Sequence, residues 1–186
     1  INQSPAVAFR WSVDGNWSVR FVTDNIRQFG FLPEEFLYNG LNFIDIIHPD
    51  DVQRFRDDVA EFSRQGVEEF SHEYRIVNGK GIVRWLEDRT VIIRDKDSAP
   101  LAYQGLLLDI TERKNAEQGV VRQKEMLQTI LNTIPEMIVY FDPNHQVAYG
   151  NLAWERVTGW TREDLRERDL LKELYPDAEY RGFAKD

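Results

Sequence analysis

Between Val52 and Leu108 the hydrophobic period of this chain changes once, from 3.6 residues to 2, and that change dictates what it can fold into. Val52, Phe55, Val59 and Phe62 recur at steps of three and four, the spacing that lines one face of a helix. From Glu69 onward, Phe70, His72, Tyr74 and Ile76 alternate with Ser71, Glu73, Arg75 and Val77 as far as Asn78-Gly79-Lys80-Gly81. A strand half buried on one face is thus followed by a tight reversal. The return strand runs through Ile82, Val83, Trp85 and Leu86 to Val91 and Ile93. Asp95 to Pro100 turn the chain once more, and Leu101 to Ile110 form a third long strand. Three long strands need a cover for their apolar face, and the helix before them carries an apolar stripe that can supply it.

The residues ahead of that helix complete the plan. Val7 to Trp11 and Ser18 to Val22 are short strands joined by the turn signal Asp14-Gly15-Asn16. Short helices follow over Asn25 to Phe29, from Pro33 with Glu34 and Glu35 behind it, and over Phe43 to Ile47, broken by Gly30 and Gly40. His48-Pro49-Asp50-Asp51 then opens the long helix, with proline and two acids suited to a first turn, and Gly66 closes it. Five strands and a helical middle predict an α+β domain: one five-stranded antiparallel sheet with helices on one face.

Composition limits the chemistry. With 186 residues there is room for one comfortable core and a partial second one. A net charge of -9 without a clustered basic face excludes a broad nucleic-acid surface. Cysteine is absent, which removes disulfides and thiolate chemistry and fits the cytoplasm. No apolar run approaches the roughly 20 residues needed to span a bilayer, so this segment is expected to make no membrane contact. The chain opens on Ile1 rather than Met, and we expect it to be a piece of a longer protein whose membrane anchor, if any, lies elsewhere.

Beyond Thr111 the sequence turns polar and helix-favouring, with Val120, Leu127 and Ile134 seven residues apart and Leu131 between the last two. A connecting helix over 112–134 is expected, about 35 Å long from Thr111 to Thr133 if wholly helical. Pairing of two copies through its sparse seam is an expectation. After Pro135 the opening pattern returns: Met137 to Phe141, the turn Asp142-Pro143-Asn144, Val147 to Tyr149, then Asn151 and VTGWTREDL, in which Gly159 matches Gly30 and Trp160 matches Phe31. The repeat reaches Asp186 before any equivalent of the three long strands.

FGFLPEEF, IIHPDD, EYR, the tryptophan of GIVRWLEDR and the closing GLLLDITERK stand in an order that resembles a PAS sensory domain with its C-terminal exit motif, over roughly Ser4 to Lys114. The tail resembles the first half of a second PAS domain. The resulting division is a PAS domain over 1–111, a connector over 112–134 and a partial PAS unit over 135–186. The resemblance implies a sensory or dimerisation module of a larger signalling protein, a histidine kinase more often than a diguanylate cyclase, with its own downstream output domain as partner. It also implies a pocket between sheet and helices for a small-molecule ligand, with Phe43, Phe55, Val59, Phe62, Tyr74 and Trp85 as candidate walls. The apolar strand of Gly105 to Leu108 runs straight into the next helix, so Asp109, Ile110 and Thr111 are the candidate relay, with Asp109 as a tether and Thr111 capping an early helical amide.

No catalytic residue is expected in this segment. Ser71-His72-Glu73-Tyr74-Arg75 superficially resembles the phosphoacceptor box of histidine kinases, but His72 lies in a period-two strand, whereas that family places its histidine on a long helix. His48 suits a helix start. Oxygen-sensing haem relatives place their ligand histidine within the long helix, where this chain shows Val52, Phe55, Val59 and Phe62, so that haem ligation is disfavoured. Covalent flavin photochemistry in light-sensing relatives needs a cysteine and is excluded, whereas noncovalent flavin remains open. His48, His72 and His145 without cysteine make no metal site. Cofactor and stimulus are not encoded in any residue singled out.

Overall fold

The computed structural model describes residues 5–143 and 147–161, together with Asp164, Lys172 and Glu173. The chain divides into two units, Ile1–Ala116 and Glu117–Asp186. In the first unit β1 (Ala6–Ser12) and β2 (Val19–Val22) form the opening hairpin. Its turn is held by Asp14, whose Oδ1 accepts from the backbone N–H groups of Asn16 and Ser18 at 3.2 and 3.3 Å. A 3₁₀ turn, Asp24–Phe29, and the short helices α1 (Pro33–Leu37) and α2 (Phe43–Ile46) lead to α3 (Pro49–Gln65). The short helix expected over Asn25 to Phe29 forms as this 3₁₀ element, one residue longer at its start, and Gly30 closes it at a φ of 78°.

α3 begins as its sequence dictates. Pro49 occupies the first turn, and the His48 Nδ1 accepts from the Asp50 N–H at 3.3 Å. Next come β3 (Glu69–Val77), β4 (Val83–Arg94) and β5 (Pro100–Asp109), then the long helix α4 (Thr111–Thr133). Asn78 shapes the β3–β4 turn, its Oδ1 accepting from the N–H groups of Lys80 and Ile82. The strand order is β2-β1-β5-β4-β3, antiparallel throughout, so the first strand pairs with the last.

The core lies between this sheet and the helices. Val7, Phe9 and Trp11 from β1, Leu107 from β5, Leu86 from β4 and Tyr74 and Ile76 from β3 are fully buried in one cluster with Phe43 and Phe55. Gly105 makes this packing possible: a Cβ there would collide with the Trp11 ring and the Thr90 hydroxyl. Rings meet edge-on or tilted, Phe9 and Phe43 at 5.1 Å and Trp11 and Phe43 at 4.9 Å between centroids, arrangements that add about 0.5–1.5 kcal/mol per pair beyond burial.

In the second unit β6 (Val139–Phe141) and β7 (Val147–Gly150) pair antiparallel, and α5 (Leu152–Thr158) follows, with Trp154 buried. The strand expected from Met137 starts two residues later. Asn144, His145, Arg162, Glu163 and Leu165, which belong to the expected turn and repeat, lie outside the described residues.

Candidate functional site

On the inner face of β3 and β4 the aromatic core gives way to a polar cluster. Asp88, 1% exposed, accepts from the Tyr74 hydroxyl at 2.9 Å and from the Thr90 hydroxyl at 2.7 Å, and the His72 Nε2 stands 3.3 Å from its Oδ2. The other ring nitrogen of His72, Nδ1, is buried without a hydrogen bond, and the nearest acid group is Asp58 Oδ2 on α3 at 3.7 Å. Burial, reinforced by the Asp88 carboxylate, pushes the Tyr74 phenol well above its ordinary range, so it stays a neutral donor. A buried carboxylate accepting several hydrogen bonds resists removal of any single partner.

The expected wall residues divide. Phe43, Phe55, Val59 and Tyr74 come together in the core, Phe55 meeting Tyr74 at 5.0 Å and His72 at 5.1 Å between ring centroids. Phe62 sits at the rim, half-buried and stacked on Phe70 at 4.5 Å. Trp85 does not join them. Strand parity puts Leu86, Asp88, Thr90 and Ile92 inward and Trp85 on the opposite face. There the guanidinium of Arg75 and the ammonium of Lys114 lie 5.7 and 5.4 Å from its ring centroid. On that outer face Ser71, Arg89, Val91, Gln104 and Leu106 line a groove of about 830 Å³.

Trp85 instead anchors the exit from the sheet. Its carbonyl accepts from the Ile110 N–H at 2.9 Å, and its N–H donates to the Thr111 hydroxyl at 2.9 Å. The expectation that Thr111 caps an early helical amide is thereby corrected, because its oxygen faces β4. Asp109 supplies the local acceptor, its Oδ1 taking the Thr111 N–H at 2.8 Å while Oδ2 lies 3.8 Å from Arg84. Ile110 is buried between them.

A second set of contacts binds the first turn of α4 to β3. Glu73 accepts from Arg113 at 2.7 Å through one carboxylate oxygen and from Lys114 at 2.5 Å through the other. The hydrogen bond from Lys114, then that from Arg113, holds its carboxyl below the usual glutamate range. Two residues along, Arg75 grips the buried Asp51 of α3 with Nε at 3.0 Å, Nη2 at 2.7 Å and its backbone N–H at 2.8 Å. The hydrogen bond from Arg75 lowers the carboxyl of Asp51. Sequence reasoning missed Asp88, Glu73, Asp51 and Arg75. An acid at core parity in β4 was the available signal for Asp88; the others have partners too distant in sequence to be read.

At the far end of α4 one side chain organises the second unit. Asn151 is fully buried. Its amide donates to the carbonyls of Leu131, Ile134 and Glu136 at 3.0, 3.4 and 2.9 Å, and its oxygen accepts from the N–H groups of Ile138 and Trp154, both at 3.0 Å. Its backbone N–H donates to the Ile138 carbonyl, just as that of Thr23 donates to Ala8 in the first unit, so Thr23 and Asn151 are equivalent positions. Among the described residues no group of three or more acids and histidines could hold a metal, and no helix is long and apolar enough to cross a membrane.

A five-stranded antiparallel sheet with helices on one face, its last strand running directly into a long helix, defines a small α+β domain that hands its sheet over to a helix. The chain belongs to the PAS fold family, matched over residues 19–107 and again over 125–185. It is 39% identical over 130 residues to the methyl sulfide methyltransferase-associated sensor of Methanosarcina acetivorans, covering 70% of this chain and 13% of that protein. A probable diguanylate cyclase of Escherichia coli, DgcE, is 27% identical over 146 residues, 77% of this chain and 13% of that protein. The crystal structure of a sensory box histidine kinase/response regulator from Burkholderia thailandensis superposes with a TM-score of 0.56 at 21% identity, covering 67% of this chain and 92% of that one. At that identity the likeness concerns the fold. The chain spans about an eighth of the length of the two curated relatives.

Proposed function

We propose that residues 1–111 form a cytoplasmic PAS sensory module. In this reading a ligand or redox signal, received between sheet and helices around Phe43, Phe55, Val59, Tyr74 and the Asp88 cluster, passes through Asp109-Ile110-Thr111 and a connector over 112–134 to a second PAS unit over 135–186. It ends at an output domain further along a longer protein. A sensor histidine kinase is the favoured parent and a diguanylate cyclase the alternative. The observation that carries the reading is the double use of the Trp85 backbone by Ile110 and Thr111: strand and helix cannot shift independently while both bonds hold. Native mass spectrometry of residues 1–186, with an absorbance scan of the same sample, tests it. Excess mass released on denaturation is the expected result, and visible bands would identify flavin or haem. An apo mass with a saturated-ligand screen showing no shift in melting would overturn it.

A second reading, an interaction module that pairs two copies without any small molecule, is favoured by one feature of α4. Of the seam expected from the sequence, Val120 and Leu127 are 67 and 59% exposed and Leu131 and Ile134 are half-buried. Concentration-dependent dimerisation abolished by Leu127→Lys supports it, and a monomer at all concentrations removes it.

A further inference from the structure

Strand β3 presents two different chemistries on its two faces. Inward, His72 and Tyr74 hold Asp88 under α3. Outward, Glu73 holds Arg113 and Lys114 of α4, while Arg75 holds Asp51 of α3. The four residues are consecutive, so a twist or slide of β3 that alters one face must alter the other. Trp85, on the paired strand, ties the outer set together, with Arg75 and Lys114 both against its ring. A belt of charged and aromatic contacts therefore runs from the first turn of α3, through Asp51, Arg75, Trp85 and Lys114, to Glu73 and the first turn of α4.

We propose that Glu73 is a positioning residue: its paired bonds to Arg113 and Lys114 form a latch that fixes the first turn of α4, and β3 makes the strength of that latch depend on the state of the buried Asp88 cluster. This rests on the sensory reading above and adds to it a path separate from Asp109-Ile110-Thr111. The geometry favours a releasable contact. Glu73 is a third exposed and Arg113 about half exposed, while Lys114 is held at the sheet surface against Trp85, so the contacts to Glu73 can open without unfolding the sheet. By contrast the bonds at Trp85 involve backbone and a buried neighbour and define where the helix begins.

Hydrogen exchange on residues 1–186 tests the latch without knowledge of any ligand. Glu73→Gln is expected to speed exchange of amides 114–118 about fivefold while amides of β4 and β5 keep their protection. The paired reversal Glu73→Lys with Arg113→Glu and Lys114→Glu should return it to the native rate, which a general loss of stability would not do. Dependence on the interior is read with Thr90→Val, which removes one Asp88 hydrogen bond at nearly constant volume. It should speed the same amides in the native background and add nothing in Glu73→Gln. Unchanged exchange at 114–118 in Glu73→Gln, or equal acceleration across the sheet, overturns the latch. Additive effects of Thr90→Val and Glu73→Gln overturn its link to the interior. Since all of this is measured without ligand, an absent ligand would defeat the sensory reading and leave the latch standing, and the reverse holds equally.

Discussion

The two ends of α4 are held by opposite kinds of chemistry. At Thr111 the helix starts on two hydrogen bonds to the Trp85 backbone, one from the Ile110 N–H and one to the Thr111 hydroxyl, and on a carboxylate cap, reinforced by part-exposed ion pairs to Glu73. At Thr133 it finishes against one fully buried amide, Asn151, which satisfies three carbonyls and two N–H groups. A buried amide with every hydrogen bond made is expensive to disturb because each orphaned partner then loses its water and gains nothing. Exposed ion pairs exchange readily with solvent. The Asn151 end is thus fixed throughout, whereas the Thr111 end combines a fixed start at Trp85 with ion pairs that can be released.

The largest expected effect comes from the fixed end. Asn151→Ala leaves buried donors and acceptors without partners and should cost the second unit about 3 kcal/mol, read as lost hydrogen-exchange protection across 138–141 and 147–154. A loss below about 1 kcal/mol would erase the distinction between the ends. Next, Thr111→Val removes the acceptor for the Trp85 N–H while keeping shape, and should cost the first unit about 1–2 kcal/mol in chemical denaturation, with Thr111→Ser recovering most of it. Asp109→Ala should cost a cap-like amount, about 1 kcal/mol, seen as fraying of the first turn.

The smallest effect sharpens the comparison most. Raising salt to about 1 M, where screening acts within about 3 Å, should weaken the Glu73 contacts by under about 1 kcal/mol and leave Asn151 untouched. Acid separates them too. The Glu73 carboxyl is lowered by Lys114 and Arg113, so its contribution is complete above the ordinary glutamate value of about 4.3 and disappears as pH falls through the lowered value. Exchange at 114–118 should be flat from pH 7 to 5 after correction for intrinsic rates and rise below about 4. A rise at neutral pH would assign the latch to another group.

Much of this architecture was legible in the sequence because the signals were local. The switch of period after Phe62, Asn78-Gly79 at the reversal, and Pro49 and Gly66 at the ends of α3 each act within a few residues. Trp85 was misplaced because Trp85-Leu86 offers two adjacent apolar residues, so parity alone does not decide which points inward. The structure turns Leu86 to the core, and two cations occupy the face of the indole. Thr111 resembled an ordinary cap because its true partner, the Trp85 N–H, lies 26 residues back. The repeat was recognised from Gly30 and Gly159, yet its registration at the second strand needed the matching backbone bonds of Thr23 and Asn151.

None of the 23 residues of α4 is fully buried, so tertiary packing contributes little to keeping its middle wound. Helix is then maintained from its ends, where nucleation has already been met. Releasing the first turn lets coil advance inward one residue at a time. Each residue that leaves the helix can stretch from 1.5 Å of rise to about 3.3 Å. Three such residues would lengthen this stretch of chain by about 5 Å, roughly one helical turn. A helix held in this way would act as a spacer whose length follows how many of its residues remain wound.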